Sequence, residues 1–143
     1  DEKDVSLRRK WTVARWRGAY QNDFAARMRW CVNPYAEANH NPVAVIGNDT
    51  TKAVLIKKVK PGEIITIDAS KTYDPDGDNL NFNWWIYQEI STPGIILKNN
   101  KVKQLELEIP KSNARGQIHL ILEVKDRGVP ELYAYRRIVL EIN

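Results

Sequence analysis

Three groups of residues have the types and spacing to do chemistry. The first is Asp74-Pro75-Asp76-Gly77-Asp78, which sets three carboxylates at alternate positions. A hard cation such as calcium takes about six to eight oxygens, and this run is a start on such a shell. It is not an EF-hand: the glycine falls too early, and Trp85 stands where the closing bidentate glutamate belongs. The same residues also make an ordinary turn, in which proline presets φ, aspartate caps backbone amides and glycine takes φ > 0. A turn is the first expectation. Calcium at Asp74, Asp76 and Asp78 is the alternative, and it needs further oxygens from another loop, Asp126 being a candidate. Asp68, one strand earlier and facing away from the core, does not join them.

The second group is Trp85, Tyr87 and Tyr135 with Arg137, all at outward positions of expected strands. Flat sugar rings stack on exposed aromatics while charged groups bond the hydroxyls, so these four residues are the candidate carbohydrate-binding set. The competing expectation is that this face is covered, by the aromatic stripe of a helix at 13–31 docking on it or by an upstream domain. The third group is basic: Arg8, Arg9, Lys10, Arg15, Arg17, Arg27 and Arg29, interleaved with Trp11 and Trp16. Phosphate contacts and base stacking use such residues. Yet acids at 1, 2, 4 and 23 dilute the charge, and no nucleic-acid fold motif accompanies it, so no nucleic-acid partner is expected.

Nothing in the chain composes a catalytic set. His40 lies in a linker and His119 on the outside of a strand. No Ser–His–Asp spacing, phosphate loop or helical Glu/His pair is present, and a turn at a sandwich edge offers no cleft to raise a carboxylate pKa. The chain is expected to be no enzyme. Cys31, the single cysteine, excludes an internal disulfide and a thiolate zinc cluster, and is expected as a small buried residue.

The elements that position these groups follow from length and pattern. A chain of 143 residues makes one globular unit with room for an appendage. Hydrophobic content of 43% and charge of 28% are ordinary for a soluble fold, and no apolar run nears the ~18 residues of a membrane span. The net charge of +4 sits wholly in residues 1–31, with eight Lys/Arg against four Asp/Glu. Residues 1–10 are charged, without apolar period, and expected to fray. Trp16, Tyr20, Phe24 and Met28 then recur every four residues, predicting an amphipathic helix up to Cys31, in one piece or broken near Gly18 with Asn22 as cap. This stripe is the candidate interdomain contact. Asn33-Pro34 ends the helix, because a residue before proline avoids the α region.

Past Pro42 the period becomes two. Runs at 43–46, 53–59, 63–69, 80–87, 105–109, 118–124 and 136–142, separated by Pro/Gly/Asn turns, predict about seven strands in an antiparallel, immunoglobulin-like β-sandwich. Ile65, Ile67 and Ala69 should face Leu105, Leu107 and Ile109 in one sheet. Phe82, Trp84, Leu120, Leu122, Val124, Ile138 and Leu140 should point inward from the other.

Two stretches carry family resemblances. "GEIITIDASKTYDPDGDNLNFNWW" with the later "LILEVKDRG" resembles the polycystic-kidney-disease type of immunoglobulin-like domain, common in secreted bacterial hydrolases and adhesion proteins. "RWRGAYQNDFAARMRWCVNP" followed by "NHNP" is similar to the junction in a bacterial family of cellulose-binding proteins, in which a nucleoside-hydrolase-like domain precedes an immunoglobulin-like C-terminal domain. The resemblance implies that residues 1–38 are a helical arm or connector from the upstream domain and 39–143 the sandwich. It implies a secreted, periplasmic or cell-surface setting and a non-catalytic accessory role. The partners it implies are the upstream domain and a polysaccharide such as cellulose. Two other roles stay open, a structural interdomain module without sugar binding and a fragment of a hydrolase whose site lies upstream. No catalytic residue carries over: the aspartate cluster of a nucleoside-hydrolase-like site belongs to the N-terminal region. Asp1-Glu2-Lys3-Asp4, with neither Met nor leader, is read as the start of a processed or excised piece.

Overall fold

The period-two runs become strands in the computed structural model, which describes residues 11, 13–111 and 115–143. Residues 1–10, expected to fray and carrying Arg8, Arg9 and Lys10, lie outside the described residues, as does the Asn113 portion of one expected turn. The strands are β1 (Leu55–Val59), β2 (Ile64–Asp68), β3 (Asn81–Ile86), β4 (Gln104–Glu108), β5 (Gly116–Lys125) and β6 (Tyr133–Ile142). They form a four-stranded sheet ordered β1-β6-β5-β3 and a two-stranded sheet of β2 and β4. The arrangement, two sheets meeting over one core with a helical segment outside, fits a β-sandwich.

Two details differ from the sequence reading. The run at 43–46 makes only isolated bridges, Val43 to Tyr73 and Ile46 to Asp49, so six strands stand where about seven were expected. The sheet is also not wholly antiparallel: β1 pairs with β6 in parallel, Leu55 opposite Ile138 and Val59 opposite Ile142. β1 is followed by the turn at Pro61-Gly62 into the other sheet, so it is not a hairpin partner of β6 and meets that strand's free edge in the same direction.

Alternation placed the core as expected. Ile65, Ile67, Leu105 and Leu107 from the small sheet meet Phe82, Trp84, Ile118, Leu120, Leu122, Val124, Ile138 and Leu140 from the large one, all buried. Each such side chain contributes roughly 1.5–3 kcal/mol by leaving water. Trp84 is fully buried, and its Nε1–H donates to the Val102 carbonyl at 2.8 Å, which removes the cost of hiding an indole N–H.

Among the described residues, 11, 13 and 14 are helical, a turn follows at 15–16, and the longer helix α1 (Arg17–Trp30) comes next, ahead of the strands. Good helix formers at Ala25, Ala26 and Met28 and the basic last turn, Arg27 and Arg29 against the C-terminal dipole, favour it. Gly18 lies in its first turn and the interruption falls just before it, at 15–16, so the two-piece form of the expectation holds, whereas Asn22 is not a cap but a mid-helix residue. Of the every-fourth-residue stripe, Trp16 packs on the sandwich, against Trp85 and Tyr135, and the rest is largely exposed. Tyr20, Phe24 and Met28 are 50%, 66% and 54% exposed, while Ala26 is buried and Asn22 donates to the Glu131 carbonyl at 2.8 Å. Arg29 donates to the Val129 carbonyl and the Trp30 indole to the Asn39 carbonyl. Polar side chains reaching loop carbonyls therefore set the rotation of the helix, ahead of its apolar period. Cys31 is turned outward by the same rotation: it is exposed, not buried, and its Sγ–H donates back to the Arg27 carbonyl. Among the described residues no helix is long and apolar enough to cross a membrane.

Candidate functional site

The outward face of the large sheet gathers the aromatic candidates. In β5 and β6, Ile121 sits opposite Arg137 and Glu123 opposite Tyr135, and β3 adds Trp85 opposite Ile121. Register thus brings Trp85, Tyr135 and Arg137 onto one surface, with Tyr87 just past β3, its ring 5.9 Å from that of Trp85. The chain covers part of this surface. Trp16 lies against it, its ring centre 5.5 Å from Trp85 and 5.1 Å, edge-on, from Tyr135. The Arg15 guanidinium sits 5.2 Å from the Tyr87 ring and is ion-paired to Glu89. Residues 88–92 close the far side: His119 N–H donates to Ser91 Oγ, Thr92 N–H to the Gln117 carbonyl, and His119, Ile121 and Val139 are buried.

Burial governs the chemistry here. The Tyr135 phenol is pushed far above its ordinary range, first by burial and then by the Glu123 carboxylate, so it stays protonated. Burial, and then the Arg137 charge, hold the His119 imidazole below its ordinary value. A neutral ring fits the contact made, since Arg137 donates to His119 Nδ1 at 2.7 Å and that nitrogen must accept. Arg137 is therefore held against His119 through Nη2, which fixes the orientation of its guanidinium.

Beside the covered patch the surface opens. Tyr133, two residues before Tyr135 on the same side of β6, has its ring nearly parallel to that of Tyr135, 7° between planes and 6.1 Å between centres. These two tyrosines, Asp23 and Asn41 line both a groove of about 420 Å³ and a more apolar hollow of about 260 Å³ that Trp16, Ala19 and Tyr20 complete. The groove continues past Arg27 and Thr51. Asp23 and Arg27 form an i,i+4 ion pair at 2.7 Å on its rim, and Asn41 donates to the Tyr133 carbonyl. Arg136 lines the groove but is spent inside, 2% exposed and bonded to the Ala44 and Asp49 carbonyls. Tyr133 was missed from the sequence, although the alternation Tyr133-Ala134-Tyr135 carries the signal: residues i and i+2 of a strand share a face.

The acidic run lies at one end of the sandwich and is a turn. Gly77 has φ of +81°, which only glycine adopts at little cost, and Asp74 Oδ1 accepts from the Asp76 and Asp78 amides at 2.9 and 3.2 Å. Asp76 is directed elsewhere: its carboxylate accepts from the His40 backbone N–H at 2.6 Å and meets His40 Nδ1 at 2.9 Å. The structure thus does not bring Asp74, Asp76 and Asp78 round one point. Among the described residues no three His, Cys, Asp or Glu side chains are grouped to hold a metal ion.

Residues 64–142, more than half of the chain, match the family described as cellulose-binding protein Sde0182, C-terminal domain. The chain belongs to this family. A solved structure of a nucleoside hydrolase-related hypothetical protein from Saccharophagus degradans, described as associated with carbohydrate metabolism, superposes with a TM-score of 0.87 at 39% identity. That alignment covers 90% of this chain and 32% of the other, so the chain spans about a third of that relative's length. A further likeness is to the EC1–3 portion of mouse clustered PcdhgC3, with a TM-score of 0.43 and 19% identity over 72% of this chain and 33% of that one. No match is found among curated proteins.

Proposed function

We propose that this chain is a non-catalytic accessory module that binds polysaccharide, cellulose first, and docks a nucleoside-hydrolase-like domain lying upstream of it in a larger protein. The observation that carries the binding half is the open groove beside Tyr133 and Tyr135. It offers parallel aromatic rings for sugar faces, with Tyr20 at its side and Asp23, Arg27 and Asn41 for hydroxyls. The family's cellulose-binding description and the relative's carbohydrate association favour a sugar over other ligands. Trp85 and Tyr87 contribute beneath the cover of Arg15 and Trp16, as support for Tyr135.

The docking half rests on the helix. Tyr20, Phe24 and Met28, four residues apart on α1, make an exposed apolar stripe along the helix. An arm over 1–38 presenting this stripe to the preceding domain, and a sandwich of the immunoglobulin-like, polycystic-kidney-disease-like type over 39–143, in a secreted or cell-surface protein, complete the reading. Two features support the sandwich type: Trp84 in the core and the two-sheet order.

Sedimentation with insoluble cellulose tests the binding half. The chain should enter the pellet, Tyr133→Ala should release it at least tenfold, and Trp85→Ala should act on stability more than on retention. Protein that stays in the supernatant, or a Tyr133→Ala variant retained as well as the parent, refutes the sugar reading. The second reading, a purely structural interdomain module, is favoured by that outcome and by the self-covered Trp85 face.

A further inference from the structure

Three segments meet at the acidic end of the sandwich: the linker at 39–41, the turn at 74–78 and the loop at 126–132. Asp126 is central to them and fully buried. Its Oδ1 accepts from the Gly128 and Leu132 amides at 3.1 and 2.8 Å, and its Oδ2 from the Asn39 side-chain amide at 3.0 Å. No Lys, Arg or His among the described residues is ion-paired to it, though a buried carboxylate without a cation costs several kcal/mol.

The neighbours of Asp126 deepen the imbalance instead of relieving it. Asp74 is close enough for its charge to act on Asp126, and both burial and that charge hold the Asp126 carboxyl above its ordinary value. Asp74 uses only one oxygen in its turn; Oδ2 is shut off from solvent and accepts no hydrogen bond. Asn39 is in the same position. Its Nδ2 donates to Asp126 and to the Pro130 carbonyl, and its Oδ1 is equally buried and accepts nothing. The amide is wedged in place, because a Cβ added at Gly128 would lie 2.1–2.3 Å from three of its atoms. Buried oxygens without donors are rare in native proteins and mark something missing from the polar inventory.

We infer that Asn39 Oδ1, Asp74 Oδ2 and the Asp126 carboxylate are ligands of a calcium ion that fastens the linker to the sandwich. One cation answers all three anomalies, supplying a counter-charge to two neighbouring carboxylates and a partner to two orphan oxygens. The donors are all oxygen, which selects a hard cation over zinc or copper, and they come from three irregular loop segments, whose geometry suits the variable shell of calcium better than the octahedral demands of magnesium. Main-chain carbonyls and water fill the remaining positions. The set differs from the carboxylate triplet suggested by spacing: it takes one carboxylate from the turn, one from a loop 52 residues later and an amide from the linker. It does not rest on the polysaccharide reading.

The test is calorimetric titration of the EDTA-stripped chain with CaCl2, alongside thermal unfolding with and without the ion. With two carboxylates in the shell, binding is expected on the order of 0.1–1 mM, in the range of extracellular modules. The melting temperature should rise by several degrees in about 10 mM CaCl2, and MgCl2 should give less than half that shift. Asp126→Asn and Asp74→Asn should each abolish the calcium shift, and Asp74→Asn, the milder change, serves if Asp126→Asn fails to fold. In EDTA, Asp74→Asn should melt no lower than the parent, since it removes an uncompensated charge. No heat and no shift with the parent chain, or an undiminished shift in Asp74→Asn, overturns the inference.

Discussion

Removing the cap over the aromatic face is the most direct probe of how the helical arm and the sandwich hold together. Trp16 precedes α1 and lies between Trp85 and Tyr135. A tryptophan that hides about 120 Å² of ring is worth about 3 kcal/mol at ~25 cal/mol per Å², an upper figure because the unfolded chain is itself partly compact. The two aromatic contacts add about 0.5–1.5 kcal/mol each, and relaxation of the exposed neighbours takes some of this back. Trp16→Ala should therefore cost about 3 kcal/mol. For a chain of this length that lowers the melting temperature by roughly 6–12 °C. Circular dichroism gives the melting curve, and tryptophan fluorescence should shift to the red as Trp85 meets water. Tyr20→Ala, at a 50% exposed site, is the control and should change stability by less than about 0.5 kcal/mol. A Trp16→Ala melting point within about 2 °C of the parent would show that the arm is not docked on the sheet and would remove the case for a covered Trp85.

Other perturbations have equally definite outcomes. Leu122→Ala, at a fully buried centre of β5, should cost about 2–5 kcal/mol in urea titration. Gly128→Ala should destabilise by about 1–3 kcal/mol, since its Cβ displaces the Asn39 amide from Asp126 and Pro130, whereas Gly18→Ala, with open space round it inside a helix, should stabilise by up to about 1 kcal/mol. For His119 the sign follows from its lowered value: between the folded value and the ordinary one near 6.5, the unfolded chain holds the proton and the folded chain does not. Stability should then fall as pH drops from about 7.5 to 5, and His119→Gln should flatten that slope; an unchanged slope in the variant refutes the assignment.

How much of this was legible beforehand depends on what decides each feature. The core strands were readable because burial on one face enforces alternation, so Ile65, Ile67, Trp84, Leu105, Leu107, Leu120 and Leu122 could point only one way. The run at 43–46 has the composition of a strand, but pairing and not propensity makes a ladder, and it finds only single-residue partners. Tyr133 was hidden by attention to Tyr135 alone, although both share a face. The helix was readable, as was its docking on the aromatic face, which Trp16 makes, but the exposure of Tyr20, Phe24 and Met28 was not. Its spacing of Trp16, Tyr20, Phe24 and Met28 is an honest amphipathic signal, but the bonds of Asn22, Arg29 and Trp30 to carbonyls at 131, 129 and 39 depend on loops whose positions no local pattern encodes. The unpaired oxygens of Asn39 and Asp74 were beyond reach for the same reason, since they lie 35 residues apart.

Those three helix bonds connect the two ends of the molecule. The loop that receives Asn22 and Arg29 is the loop that carries Asp126, and the Trp30 indole bonds Asn39, the residue whose amide holds that aspartate. Trp30 and Tyr35 also stack on His40, which grips Asp76. The direction in which α1 leaves the sandwich is therefore determined at the acidic end, and the apolar stripe of Tyr20, Phe24 and Met28 faces outward only while those loops keep their shape. If the stripe docks a preceding domain, then that domain's orientation is set through Asn39 and Asp126. Changes at these two buried residues should disturb docking as much as changes in the stripe itself, although neither touches the docked surface.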